Sequence, residues 1–304
     1  MNRNTSLLIL CMIAVLAVVV IAQPNTASAD MGPKPSINIT FKGLGDEVCY
    51  CTILSQYKSA GPWRAYDPEE DNKELFNFDS NYYRDENYAN AEAEMSWQAF
   101  VDYEDADGYC FLQLWWKLGG ESNRVRWGYY PPYSFKVLLY FPESNTFATS
   151  DIYERYAFDS YFTVDMKAFD GAHLSLAKSY DYAGEVVGLL CRIALTILIE
   201  LLIALLFRLK GRRVILTIFA VNAVTQIALN VGLNLIYYFN GALAYLLAFV
   251  FLEIAVAVVE ALAYSLLLRK NRVPIWKCIL YAVIANAVTA VAGFYLAKWL
   301  PGMF

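Results

Sequence analysis

Histidine is almost missing from this chain, with His173 the only one in 304 residues. That excludes a zinc site built on paired histidines. A Ser-His-Asp triad would rest on this one residue, and no G-x-S-x-G is present to supply its nucleophile. The sequence also lacks a Walker A loop and a G-x-G-x-x-G turn, which removes the common phosphate and dinucleotide cradles. Charge is scarce, at 17% of residues, and unevenly divided. Residues 30–183 hold 25 acids and 13 bases, a net of −12, whereas residues 184–304 hold 4 acids and 10 bases, a net of +6. An acidic first part has the wrong field for phosphate, so nucleic acid is not an expected partner. Nothing here points to an enzyme or to a cofactor, and the expectation is a non-enzymatic protein.

Apolar residues are plentiful at 58%, and the mean hydropathy is +0.35. The first 29 residues have the layout of a secretory signal peptide. Arg3 supplies the positive start, Leu7 to Ala22 the apolar run, and Ala27-Ser28-Ala29 the small-residue cleavage site. An uncleaved anchor is the rival reading, because the run is nearly long enough to span. Cys11 follows Leu10 without the small residue a lipoprotein signal requires.

Four further apolar stretches fill residues 184–304: about 186–207, 214–239, 242–268 and 275–300. Each is long enough at ~1.5 Å per residue to cross an ~30 Å hydrocarbon core. The connector from Arg208 to Arg213 carries four bases in six residues, and the next basic group is Arg269, Lys270, Arg272 and Lys277. Only Asn240-Gly241 separates the second and third stretches, enough for a tight turn. Short basic loops stay in the cytoplasm. The expected topology therefore puts residues 30–183 and the C-terminus outside the plasma membrane and the two basic loops inside.

Polar residues interrupt these spans at helical spacing. Asn222, Gln226, Asn230 and Asn234 form one stripe, with Thr225 beside it; Glu253 and Glu260 share a second face. Arg192, Thr196 and Glu200 form a third, and Asn286, Thr289 and Gly293 a fourth. Counting inward from the basic loops puts Glu200, Asn222 and Glu260 at one depth, ~12 Å in, and Gln226, Glu253 and Asn286 about one turn farther out. Matching depths predict that the stripes face one another. Amides suit hydrogen bonds between membrane helices, worth about 0.6 kcal/mol each on average. An ionised carboxylate at mid-membrane costs at least ~2.5–3.5 kcal/mol. Three glutamates beside one arginine are thus expected to be partly protonated or to hold a cation. Interhelical glue, a proton, cation or substrate route, and a contact with a partner subunit all remain open on this pattern.

Residues 30–183 are one domain's worth of chain. Ser36–Phe41 and Phe158–Val164 alternate apolar and polar, and Val48–Leu54, Tyr109–Leu118 and Ser134–Phe141 are apolar runs between turn residues. Short strands of this kind predict a β-rich, sandwich-like domain. Glu92–Tyr103 has helical spacing, and residues 64–90 read as a long surface loop. Trp115, Trp116, Trp127, Tyr129 and Tyr130 could form a platform for a wall glycan or a peptide, or could fill the sandwich core. A Trp pair on a strand points one ring to each face. Asp105-Ala106-Asp107-Gly108 is part of a calcium-loop pattern, but Tyr103 and Leu114 stand where Asp and Glu are needed, so a hairpin turn is expected and no metal. Cys49, Cys51 and Cys110 are the exported cysteines, and outside the cell Cys110 could pair with either of the others.

The stretch Ala29-Asp30-Met31-Gly32-Pro33-Lys34-Pro35-Ser36, the stretch from Tyr129-Tyr130-Pro131-Pro132 through Phe141-Pro142-Glu143, and the Glu/Asn-bearing spans together resemble a group of uncharacterised exported multi-pass membrane proteins of Gram-positive, clostridia-like bacteria. The resemblance covers nearly the whole mature chain and lends no activity or functional residue. It implies a bacterial plasma membrane, with residues 30–183 facing the wall. The function expected from all of this is a cell-envelope binding or sensing module on a membrane bundle. Its partners would be lipid and a wall glycan, peptide or membrane protein. The alternative is a small transporter or channel subunit using the intramembrane Glu/Asn seam.

Overall fold

The computed structural model describes residues 32–45, 47–69, 91–120 and 122–299. The expected signal peptide and most of the loop expected over 64–90 lie outside these residues. The chain divides into two compact units, a β-rich one over Lys34–Tyr180 and a helical one from Asp181 onward.

The β-rich unit has two main open sheets. In the smaller, β1 (Ser36–Lys42) lies between β6 (Arg124–Trp127) and β10 (Asp159–Asp165), with β12 (Leu176–Lys178) at the edge. In the larger, β2 (Cys49–Ser55) lies between β5 (Cys110–Leu118) and β7 (Ser134–Phe141), and β8 (Thr146–Ser150) and β11 (His173–Leu174) continue it beyond β7. A short strand β9 (Tyr153–Glu154) also pairs with β7, and β3 (Ser59–Ala60) and β4 (Trp63–Arg64) form a separate hairpin. The sheets are mixed, since β1 runs parallel to β10 and β8 parallel to β11. Both sheets contribute to one apolar core: Ile37, Ile39 and Phe41 from β1 and Phe162 and Val164 from β10 meet Cys51, Ile53, Val137 and Leu139 of the larger sheet.

Helix α1 (Ala91–Asp102) covers the other face of the larger sheet. Its Trp97 and Phe100 pack with Tyr50, Leu54, Trp115, Leu138 and Tyr140. Two-sided burial explains the sequence of β7, SFKVLLYF, a nearly unbroken apolar run where β1 alternates. Each large side chain so enclosed contributes about 1.5–3 kcal/mol.

Three helices of the second unit are long and apolar enough to cross a membrane: α2 (Tyr182–Leu206), α3 (Arg212–Leu267) and α4 (Ile275–Trp299). The sequence predicts two stretches joined at Asn240-Gly241, and α3, 56 residues long, is accordingly two helices that meet at a sharp break at Gly241. There φ is 80° and ψ −176°, a combination only glycine adopts without strain. The halves fold back on each other, as the pairs Tyr237–Tyr245, Leu233–Leu252, Thr225–Glu260 and Asn222–Tyr264 demonstrate.

The unit is inside out relative to a water-soluble bundle. Leu198, Leu202, Ile254, Val258, Leu262, Val283 and Val291 are exposed, while Glu200, Asn222, Gln226, Glu260 and Asn286 are buried. Such a surface is stable against hydrocarbon, not water.

Candidate functional site

The buried polar groups of the helical unit converge on one layer. Glu260 is its centre: Oε1 accepts from Thr225 Oγ1 at 2.6 Å and Oε2 from Asn286 Nδ2 at 2.7 Å. Tyr264 donates its hydroxyl proton to Asn222 Oδ1, and Tyr281 donates to the backbone carbonyl of Glu200 at 3.1 Å. Glu200 itself is fully enclosed; neither carboxyl oxygen makes a well-formed hydrogen bond, and the Asn222 side chain is the polar group that approaches it. It lies within electrostatic reach of Glu260 and Glu253 and beside the Asn222 amide. Asn286 Oδ1 is buried without a protein partner, and Asn222 Nδ2 reaches only its loose contact with Glu200. Such a layer can hold a proton or coordinate a small cation through carboxyl, amide and hydroxyl oxygens.

The expectation that Glu200, Asn222 and Glu260 share a depth agrees with this arrangement. Asn286 is a correction, because counting places it one turn farther out, yet it bonds Glu260. Side chains lean toward the N-terminus of their helix. Asn286 leans toward the basic-loop end where α4 begins, whereas Glu260, late in α3, leans away from that end, and the two meet midway.

Farther from the basic loops a half-open cavity of about 120 Å³ lies among α2, both halves of α3, and α4. Arg192, Gln226, Asn230 and Glu253 line it, with Tyr245 and Phe249 on an aromatic wall. Asn230 bonds Gln226, and Arg192 donates to Asn234 Oδ1 at 2.8 Å. On the basic-loop side the polar layer is closed by Leu209, Val214, Leu268, Cys278 and Tyr281 in a single apolar cluster.

The candidate residues of the β-rich unit are not brought together. Trp115 packs under α1, and Trp127 and Trp116 pack in or against the core between the sheets. The five-residue platform therefore does not form, because strand alternation sends the rings to opposite faces. Only Tyr129 and Tyr130 remain exposed, in edge contact at 5.1 Å, with the Lys34 ammonium 5.2 Å from the Tyr130 ring.

The cysteines are free thiols. In the β2–β5 register Cys110 stands opposite Ser55, four residues along β2 from Cys51 and six from Cys49. At ~3.3 Å per residue those separations are ~13 Å and ~20 Å, beyond the ~7 Å a disulfide spans. The expected pairing is thus corrected. Burial pushes the Cys49 thiol up to about 12, with Glu47 adding to the effect. The Asp105–Gly108 turn holds a protein cation, since Lys136 Nζ is 2.6 Å from Asp105 Oδ1 and 2.9 Å from Asp107 Oδ2.

Sequence reasoning missed Lys136, Tyr264 and Tyr281. A lone lysine inside the apolar run of β7 was a readable signal. The tyrosines were not, because their spacing says nothing about where the hydroxyls end. No family model, curated protein or solved structure matches the chain.

Proposed function

We propose that this is a non-enzymatic, multi-pass protein of a bacterial plasma membrane whose carboxyl layer exchanges protons or monovalent cations while a small solute is bound or moved. In this reading the helical unit crosses four times. The fold-back at Gly241 supports that count, because each half of α3 is then one membrane's length. The basic connectors 208–213 and 269–277 face the cytoplasm, and the β-rich unit and the C-terminus face the wall.

One observation carries the proposal. Glu200 is wholly buried with no well-formed hydrogen bond to either carboxyl oxygen, only the approach of the Asn222 amide, next to Glu260, whose oxygens are both firmly hydrogen-bonded. Interhelical glue accounts for Glu260. It does not account for a carboxyl so weakly bonded, whose burial has a cost of several kcal/mol if charged. A carrier is favoured over an open channel, since the cavity opens on one side of the layer and the apolar cluster closes the other. Binding at the Trp/Tyr surface loses support because most of those rings are buried.

The test is proton and sodium uptake into liposomes containing the full chain. Wild-type uptake is expected above that of empty vesicles, and Glu200→Gln should lower it at least 10-fold without changing the elution profile of the purified protein. Wild-type uptake equal to that of empty vesicles removes the reading.

A further inference from the structure

Arg192 and Glu253 line the same cavity from different helices and, among the described residues, form no ion pair with each other. Opposite charges in a low-dielectric setting attract strongly, so a built separation between them needs a reason. Arg192 is bonded instead to Asn234 Oδ1 at 2.8 Å. Glu253 Oε2 is buried without a hydrogen-bond partner, as is Nε2 of Gln226, which lines the same cavity. Tyr245 lies within electrostatic reach of both charges, and its ring stacks on Phe249 at 6.3 Å. The site thus has a cationic pole with spare donors, an acidic pole with a spare acceptor, and an aromatic wall near both.

We propose that this cavity binds a small dipolar molecule, its anionic group held by Arg192 and its ammonium group by Glu253 and the aromatic face. A guanidinium suits a carboxylate or phosphate, and a carboxylate with aromatic rings suits an ammonium. The volume of about 120 Å³ sets the size. A cavity of ~150 Å³ holds benzene, so the ligand, or the part of it enclosed, has about six heavy atoms. Two sources present this chemistry: a free α-amino acid, or the headgroup of a zwitterionic lipid entering where the lining residues Leu246 and Phe294 are exposed. The inference deepens the solute-handling reading of the helical unit and rests on it.

The experiment is equilibrium binding to the purified full chain, read as a thermal shift and by calorimetry, without any gradient. The free probes are L-alanine, ethylamine (ammonium only) and propionate (carboxylate only). The lipid arm compares nanodiscs of phosphatidylethanolamine with nanodiscs of phosphatidylglycerol. Alanine is expected to bind at least 10-fold more tightly than either half-molecule. Arg192→Gln and Glu253→Gln should each weaken it at least 10-fold, and Arg192→Lys should retain part of the affinity. Stabilisation by phosphatidylethanolamine alone, lost in the same variants, supports the proposal with lipid as the source. The comparison of whole and half-molecules uses wild-type protein, so it holds even if a variant does not fold. Equal binding of alanine and ethylamine, or no shift from alanine and from phosphatidylethanolamine, overturns it. Cation uptake that persists without dipolar binding sinks this inference alone. Dipolar binding without uptake leaves it standing and removes the exchange reading.

Discussion

Lys136 in the β-rich unit and Glu200 in the helical unit are both nearly inaccessible ionisable side chains, yet their surroundings differ. Lys136 has two carboxylates within 3 Å, on a turn whose backbone is shaped around Asp105. Glu200 has only the loose approach of the Asn222 amide and no well-formed hydrogen bond. In the β-rich unit the buried charge is matched and the surrounding core is apolar. In the helical unit the polar groups are the interior and the apolar groups the surface. A matched charge is structure; a buried carboxyl without a well-formed bond is the group on which the proposed exchange rests.

The largest effect that would sharpen this contrast is in the β-rich unit. Lys136→Ala leaves Asp105, 1% exposed, without its counter-charge, and should cost about 3 kcal/mol. Urea unfolding followed by tryptophan fluorescence checks it, since Trp63, Trp97, Trp115, Trp116 and Trp127 all lie in that unit. The pH dependence has a definite sign. Burial acts to lower the Lys136 pKa, and the bonds and charges of Asp105 and Asp107 outweigh it, holding the group above its ordinary 10.5. Its contribution is therefore fully present below pH 10.5 and lost as pH rises through the raised value. The variant should lack that alkaline loss.

A smaller effect separates the two membrane glutamates. Glu260→Gln disturbs bonds to Thr225 and Asn286 and should cost about 1–2 kcal/mol in detergent unfolding. Glu200→Gln disturbs only the loose contact with Asn222 and should change stability by less than ~0.5 kcal/mol. Equal costs would mean that Glu200 is structural after all, and the contrast with Lys136 would fail.

The smallest effect concerns the thiols. Cys49 and Cys51 are enclosed, with burial pushing both up, and Cys110 is raised less by partial burial. Only Cys110 among them should react with maleimide in the native protein within minutes, as counted by mass spectrometry. Reductant should leave the unfolding midpoint of the β-rich unit unchanged.

Much of this organisation was legible in the residues. Ile37, Ile39 and Phe41 announced a strand with one buried face, and Ser134–Phe141 an element of the length observed. The polar residues of the spans stood out because hydrocarbon gives amides and carboxyls no solvent. What was illegible depends on direction. Trp115 and Trp127 entered separate cores according to which face each strand presents. Asn286 met Glu260 through side-chain lean, and Tyr264 found Asn222 only because Gly241 turned the helix back.

By itself, the sequence determined that the apolar stretches between residues 184 and 299 are helices with polar stripes and that runs such as Ser36–Phe41 and Ser134–Phe141 are strands, because periodicity and transfer cost are local properties of the chain. Tertiary structure alone decided which polar atoms are satisfied. Whether Glu200 has a partner and whether Arg192 meets Glu253 depend on the packing angles and separations of helices far apart in sequence, which no spacing rule specifies.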